Sequence, residues 1–232
     1  MINKSVEEYN KKNAENIAYQ KIKDAIRDKS ILPGRKLSEA ALGEILGMSR
    51  TPVRAALKRL EFQGYVKIVP NKGAYVIEPS IEEIDNTYVV RIAMEQLSIA
   101  LLIENLTDEK IAELEKSIEN EQRVYESNDY DEYDMINREY HMKIAKLSGN
   151  LVLYQYIKEM INKVDGYILL YDKNDPVVSP ASIEDHKQIL EFIKKKDVIS
   201  AQKCIETHIQ HARARLMFDI NSQTPVKDFL SL

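Results

Sequence analysis

The sequence contains a single cysteine, Cys204, among 232 residues. No intrachain disulfide can form, and this cysteine usage agrees with a reducing compartment. The longest apolar stretches, such as residues 97–103, are much shorter than the roughly 20 residues of a membrane-spanning helix. The N-terminal segment lacks the apolar core and the cleavage site of a secretory signal. We therefore expect a cytoplasmic protein without membrane spans.

Glycine and proline are also scarce, with seven of each, so few tight turns are available and long helices are favoured. Hydrophobic residues make up 44% of the chain and charged residues 30%, which excludes a disordered or collagen-like chain. The length allows one or two domains. Composition therefore indicates a mainly α globular protein.

The net charge of −4 conceals a division of charge along the chain. Residues 1–79 contain 15 Lys and Arg against 9 Asp and Glu, a balance of +6, whereas residues 80–232 contain 18 against 28, a balance of −10. A basic segment joined to an acidic one is typical of a DNA-reading domain attached to a body that does not contact phosphate. Uneven charge on a solvated surface is the alternative interpretation.

The basic segment is predicted to form three helices and a two-stranded wing, after about 15 disordered residues at the N-terminus. Gly47 and Gly64 suit the positions at which helices end, and Pro52 suits the first turn of a helix. After Gly64 the apolar spacing changes from a helical to a β pattern. The predicted elements are helices over residues 16–28, 38–46 and 50–63 and strands over residues 65–69 and 74–77.

Basic side chains lie near the start of the third predicted helix. Arg50 and Arg54 are one turn apart on one face, where each can bond bidentately to guanine O6 and N7. Thr51 and the first N–H groups of the helix suit phosphate oxygens. A salt-bridged, solvated helix face is the alternative interpretation of the two arginines. The candidate DNA-binding residues are Ser49, Arg50, Thr51, Arg54 and, at the tip of the wing, Lys72.

These motifs resemble those of the GntR family of bacterial regulators across about residues 17–78. The resemblance implies a winged helix-turn-helix in which Arg50, Thr51, Arg54 and the wing tip contact operator DNA. Some members place a DNA-contacting arginine early in the second helix, where this chain has Ala40. The matching residues are Pro33-Gly34, Leu37-Ser38-Glu39, Ser49-Arg50-Thr51-Pro52-Val53-Arg54, Leu60-Glu61, Gly64 and Gly73-Ala74-Tyr75-Val76.

A capping box, Ser80-Ile81-Glu82-Glu83, directly follows the wing and predicts a domain boundary near residue 79. We expect residues 1–79 to form the DNA-binding domain. Residues 80–232 are expected to form an antiparallel helical bundle for effector binding and dimerisation, with a loop at residues 171–180. The predicted helices span residues 81–106, 108–127, 130–148, 151–170, 182–195 and 198–218.

Three of the four histidines fall one per helix in this bundle, namely His141, His186 and His208. Imidazoles that converge from separate helices bind Zn²⁺, Ni²⁺ or a similar divalent metal and leave positions for water or a ligand. Scattered histidines without a metal are the alternative interpretation. Asn137 lies one turn before His141 and faces the same way. Cys204 and His211, each within one turn of His208, are alternative ligands.

The bundle resembles the FCD domain, the helical ligand-sensing domain of one large GntR subfamily, across about residues 84–217. The resemblance implies that the three histidines bind a divalent metal and that Asn137 occupies the place of an aspartate ligand. It also implies that Arg91 lies in the effector cavity, with a structural ion pair as the alternative role. The matching residues are Arg91 to Glu95, Asn137 to His141, Leu147 to Asn150, His186 to Leu190, Ala201 and His208.

Neutral ligands leave a dication uncompensated, so we expect an anionic effector, a small organic or sugar acid that bridges the metal and Arg91. The predicted function is an effector-responsive transcriptional repressor of a metabolic operon, which binds a pseudo-palindromic operator as a homodimer. A three-histidine metallohydrolase is one alternative, but no HExxH-like motif supplies a general base, so no enzyme is expected. A DNA-binding protein without a ligand is another alternative.

Overall fold

The structure, a computed structural model, describes residues 2–127, 130–171 and 180–223. Within these residues the chain forms nine helices and one small antiparallel sheet, which confirms a mainly α fold with a winged helix-turn-helix and a helical bundle. The elements in chain order are α1 (Ile2–Arg27), β1 (Lys36–Leu37), α2 (Glu39–Leu46), α3 (Arg50–Phe62), β2 (Val66–Val69), β3 (Gly73–Val76), α4 (Ile81–Glu104), α5 (Asp108–Ser127), α6 (Tyr130–Leu147), α7 (Leu151–Tyr171), α8 (Pro180–Lys194) and α9 (Val198–Gln223).

The helices of the second half begin close to their predicted starts because their caps are local sequence signals. Ser80 Oγ accepts a hydrogen bond from the backbone N–H of Glu83 at 3.0 Å. Asp197 Oδ1 accepts one from the N–H of Ser200 at 3.1 Å. Such side chains satisfy N–H groups that have no partner inside the helix. Residues 172–179 of the predicted loop lie outside the described residues.

Two predictions for the first half were wrong. α1 begins at Ile2, although a disordered segment was expected before residue 16. No glycine or proline precedes Pro33, so nothing in the sequence interrupts the helix. The sheet has three strands rather than two, in the order β1-β3-β2. β1 is two residues long, which is too short to show the alternation that predicts a strand.

The chain divides into two compact units. The first contains the residues up to Ile84 together with the second half of α7, from Asn162 onwards. Its core combines apolar side chains of α1, α3 and the sheet with Leu169 and Leu170 of α7. The second half of α7 is therefore part of the hydrophobic core that supports the helix-turn-helix. The predicted domain boundary near residue 79 stays a prediction.

Two glycines allow α7 to approach the turn after α3. A Cβ at Gly166 would collide with the carbonyl oxygen of Gly64, and a Cβ at Gly64 would collide with that of Asn162. Asn162 Nδ2 donates a hydrogen bond to the carbonyl of Phe62 at 2.8 Å. Gly64 also has a φ of +79°, which side chains rarely adopt. Gly64 is thus required both by the turn and by the space that α7 needs.

The second unit is a helical bundle in which α5 packs against α6 and α8, and α8 packs against α9. A cluster of buried apolar residues, Ala145, Leu153, Ile157 and Ile161, joins α6 to the first half of α7. No described helix is long and apolar enough to cross a membrane. The bundle places polar side chains of α4, α5, α6, α8 and α9 together in its interior.

Replacement of Gly166 by alanine tests the close approach of α7. Glycine-to-alanine changes inside a helix ordinarily stabilise by about 0.5–1 kcal/mol. Here we expect the free energy of unfolding to fall by about 1–3 kcal/mol, because the added Cβ overpacks the contact with Gly64. Urea denaturation followed by circular dichroism measures the change. Gln155→Ala, at an exposed position of the same helix, is the control and should change stability by less than about 0.5 kcal/mol. Equal or higher stability of Gly166→Ala would contradict the contact.

Candidate metal centre and nucleic-acid interface

Three histidines meet in the interior of the second unit. His141 on α6 is 2% exposed, His186 on α8 is 0% exposed and His208 on α9 is 7% exposed. One ring nitrogen of each lies within 4.8 Å of the others, and Nε2 of His141 and Nε2 of His208 are 3.2 Å apart. The structure therefore brings together the three histidines that the sequence singled out.

A carboxylate orients each imidazole from behind. The distance from Nδ1 to the carboxylate oxygen is 2.6 Å between His141 and Glu95 and 2.7 Å between His186 and Glu121. A carboxylate can only accept, so each Nδ1 carries the proton and donates it, and each Nε2 presents a lone pair. Carboxylates hold metal-binding histidines in this tautomer in known metal sites. The third pair, His208 and Asp185, has a distance of 3.2 Å.

Burial keeps the two closest imidazoles uncharged. Burial lowers the pKa of His141 to about 3, although Glu95 opposes this change. Burial also lowers the pKa of His208, against a raising effect of its hydrogen bond to Asp185. For Glu95 itself, burial would raise the pKa, but His141 and Arg91 outweigh it and hold the pKa well below its usual range. Lone pairs on Nε2 are therefore available at neutral pH.

Two further polar atoms lack a hydrogen-bonding partner, one in the histidine cluster and one on Asn137, which lies four residues before His141 on α6. His186 Nε2 and Asn137 Oδ1 are both buried, and neither finds a partner among the residues that the structure describes. Buried polar atoms are almost always satisfied in folded proteins, so each exception needs an explanation. Three imidazole nitrogens and an amide oxygen form a donor set that divalent zinc or nickel accepts.

Arg91 forms an ion pair, as the alternative interpretation expected, and its place in an effector cavity stays a prediction. Its Nε donates to Glu95 Oε1 at 2.6 Å, and both side chains are buried. The expectation of an uncompensated dication was wrong. The proposed ligands are neutral, but three carboxylates behind the histidines, Glu95, Glu121 and Asp185, supply negative charge.

Neither alternative ligand joins the cluster in the part of the chain that is described. Cys204 Sγ contacts Gln188 Oε1 at 3.5 Å and the carbonyl of Asp185 at 3.8 Å, and burial raises the pKa of its thiol. His211 is exposed. His208, which the family resemblance favoured, is the α9 residue that points at the other two histidines.

Sequence reasoning missed the three carboxylates. Glu95 belongs to the motif that begins at Arg91, but no role was assigned to it. Glu121 lies in the buried stripe of α5, between Ile118 and Val124, and a charged residue at such a position is a usable signal. Asp185 directly precedes His186 and gives no pattern of its own.

The predicted DNA-binding residues lie on the outside of the first unit. Ser49, Arg50 and Thr51 are exposed at the start of α3, and the side chain of Ser49 makes no capping hydrogen bond. The first N–H groups of α3 therefore lack a side-chain cap from Ser49. Lys72 is exposed in the turn between β2 and β3, next to Asn71, which has a φ of +62°.

Arg54 is also exposed but is held by an ion pair with Glu39. Its Nη2 lies 2.7 Å from Glu39 Oε2, and this hydrogen bond lowers the pKa of Glu39. Glu39 is the first residue of α2, so the contact joins the two helices of the helix-turn-helix. The alternative interpretation, a salt-bridged helix face, thus describes the contact that Arg54 makes in this structure.

Comparison with known families gives a match in each half of the chain. The family model described as bacterial regulatory proteins, gntR family, matches residues 14–76, and the FCD domain model matches residues 86–211. The second match covers more than half of the chain and includes all three clustered histidines. The chain belongs to the GntR family of bacterial regulators. A GntR regulator of this type binds DNA and carries an FCD effector-binding domain.

Individual relatives are similar over most of the chain. The HTH-type transcriptional regulator McbR of Escherichia coli is 30% identical over 193 residues, which cover 83% of this chain and 87% of that protein. The HTH-type transcriptional repressor RspR of Escherichia coli is 24% identical over 181 residues, 78% of each protein. The solved structure of E. coli McbR/YncC has a TM-score of 0.68 at 27% identity and covers 90% of this chain and 99% of that one. These relatives are named as regulators, which confirms the prediction that the chain is a regulator and not an enzyme.

Lys72 offers a test of the wing. Lys72→Ala should weaken binding to every DNA sequence alike, because a phosphate contact carries no base information. The slope of log K against log salt concentration should become shallower by about 0.9, the value of one phosphate contact. Fluorescence anisotropy with labelled duplexes at several salt concentrations measures both effects. The matched control is Lys146→Ala, an exposed lysine of the second unit, which should bind as the original protein does. An unchanged slope for Lys72→Ala would place the wing away from the DNA.

Proposed function

We propose that this GntR-family regulator is a metal-dependent repressor of a metabolic operon, whose DNA affinity falls when a small organic or sugar acid binds the second unit. The observation that carries the proposal is the convergence of one ring nitrogen from each of three buried histidines, whose Nδ1 atoms each face a carboxylate. The direction of regulation is supported by the similarity to RspR, a protein named as a repressor.

On the DNA side, base reading is assigned to Arg50 and Arg54, whose guanidinium groups match the acceptors of guanine. Ser49, Thr51 and Lys72 contact phosphate and fix the register of the helix in the groove. Support comes from the exposure of all five side chains in one unit and from the excess of positive charge in residues 1–79.

On the effector side, the proposed metal ligands are His141, His186, His208 and Asn137, and the proposed ion is Zn²⁺ or Ni²⁺. When bound, such a cation supplies open coordination positions for an oxygen ligand. Glu95, Glu121 and Asp185 hold the rings in the tautomer in which Nδ1 donates and Nε2 is left to bind the ion. The orphaned oxygen of Asn137 supports its inclusion.

A carboxylate is the proposed effector class because its oxygen can fill an open position of the proposed ion, while the positive charge of Arg91 offsets part of the negative charge of Glu95, Glu121 and Asp185. Besides burial, the positive charge of Arg91 lowers the pKa values of His141 and His208, so this charge acts on the interior of the cluster. Arg91 therefore offers a positive charge to an anion that enters the site, and this charge offsets part of the opposing negative charge of Glu95.

The proposed assembly is a homodimer, since two winged helices are needed to read the two halves of a pseudo-palindromic operator. Exposed apolar side chains along α4 support the homodimer, because they form a surface that suits contact with a second copy. Val89 is 64% exposed, Val90 41% and Leu97 49%.

Calorimetric titration of metal-free protein with Zn²⁺ or Ni²⁺ tests the metal site. We expect one ion per chain. His186→Ala should weaken binding by more than about 100-fold, and Glu121→Gln should weaken it by about 10–100-fold, as changes behind a ligand do. Asn137→Asp should bind the ion more tightly, because the carboxylate is an anionic ligand, yet should unfold at a lower temperature without metal, because it buries an unpaired charge.

The control for this titration is His211→Ala, the exposed histidine on the same helix as His208. It should bind metal like the original protein. A titration without binding, or a loss in His211→Ala equal to that in His186→Ala, would exclude the proposed site.

Gel shifts with metal-loaded protein test the effector class. Acids and their neutral counterparts, such as gluconate against glucose and lactate against lactamide, are compared on operator DNA selected from a random pool. One acid should weaken DNA binding by roughly 5- to 150-fold, the usual range of allosteric coupling, and its neutral counterpart should have no effect. Release of DNA by neutral compounds only would reject the carboxylate, and an effector that tightens DNA binding would reject the repressor.

A further inference from the structure

The ion pair between Arg54 and Glu39 occupies one particular edge of the guanidinium group. Arg54 Nε lies 2.9 Å from Glu39 Oε1 and 3.0 Å from Oε2, and Nη2 lies 2.7 Å from Oε2. The carboxylate therefore takes the N–H of Nε and one N–H of Nη2. The other edge, with both N–H groups of Nη1 and the second N–H of Nη2, points away from Glu39.

The edge left over is the one that suits a guanine base. Its two parallel N–H groups, one from each Nη, match the O6 and N7 acceptors that guanine presents in the major groove. The side chain of Arg54 is 59% exposed, so this edge can be reached from outside. The same arginine without Glu39 would be free to turn toward phosphate, where any sequence is accepted.

We propose that Glu39 is a positioning residue for sequence reading, which holds the guanidinium of Arg54 with its far edge directed at one guanine of the operator. This proposal rests on the proposed role of Arg54 in base reading. In this proposal Glu39 itself contacts no base.

The carboxylate has two opposing effects on DNA binding. Its negative charge repels phosphate and therefore lowers affinity for DNA of any sequence. Glu39 also lies within electrostatic reach of Arg50, which with Arg54 lowers the Glu39 pKa. On the other hand, an arginine that is already ordered loses less side-chain entropy when it binds its base. Glu39 should thus reduce general affinity while it increases discrimination between sequences.

The test uses the full chain loaded with metal. The preferred sequence is first selected from random duplexes. Dissociation constants are then measured for that sequence, for each variant with one guanine replaced, and for unrelated DNA over a range of salt concentrations. Glu39→Ala should bind unrelated DNA several-fold more tightly, with a salt slope steeper by up to about 0.9 as Arg54 moves to a phosphate.

At one guanine, Glu39→Ala should lose much of the discrimination that one bidentate pair provides, which is roughly 5- to 150-fold. Arg54→Ala should lose discrimination at the same position, and Glu39→Ala in that background should change it no further. Glu39→Gln, which keeps the shape and one acceptor, should gain general affinity and retain part of the discrimination. Lys72→Ala provides the contrast, because it should weaken all sequences equally.

Several results would overturn the proposal. If Glu39 merely stabilises the start of α2, its removal should lower the unfolding temperature and weaken all sequences together. Unchanged discrimination in Glu39→Ala, or a loss at a different base from that in Arg54→Ala, would also reject it. If the original protein selects no sequence, the proposed operator binding fails first. If it selects one that Glu39→Ala still reads equally well, the positioning role alone fails.

Discussion

Three imidazole–carboxylate pairs in an apolar interior are the constraint on which the second unit depends. Each pair joins two different helices, and each satisfies a buried N–H that would otherwise cost free energy. Every Nδ1 faces a carboxylate, and the Nε2 atoms of His141 and His208 lie 3.2 Å apart. Such an arrangement of lone pairs is unfavourable by itself and favourable around a cation, so the same contacts that hold the helices together also define the proposed binding site.

The first unit depends on a close approach between two stretches of backbone rather than on charged pairs. α7 can contribute Leu169 and Leu170 to the core beneath the helix-turn-helix because Gly64 and Gly166 have no side chains where the backbones approach. α3 is in this way fixed from behind while its first turn stays exposed. Sequence reading requires a helix that is rigid in position and accessible at its N-terminus, and the packing supplies both properties.

Local signals made much of the fold predictable. Caps such as Ser80 and Asp197 and the apolar periodicity are contained in a few neighbouring residues, so the helices of the second unit could be placed closely from the sequence. The histidines were found because they lie in recognisable motifs. Their carboxylate partners were missed because Glu95 and Glu121 lie 46 and 65 residues from the histidines that they orient, and no local pattern encodes such pairs. The expectation of an uncompensated dication was wrong for the same reason.

X-ray absorption at the metal edge of protein purified without added metal tests the central claim most directly. The arrangement of His141, His186, His208 and Asn137 predicts a bound divalent ion with nitrogen and oxygen neighbours at about 2.0–2.1 Å, together with the scattering of imidazole rings and no sulfur. Protein without bound metal, or a sulfur neighbour at about 2.3 Å that would indicate Cys204 as a ligand, would contradict it.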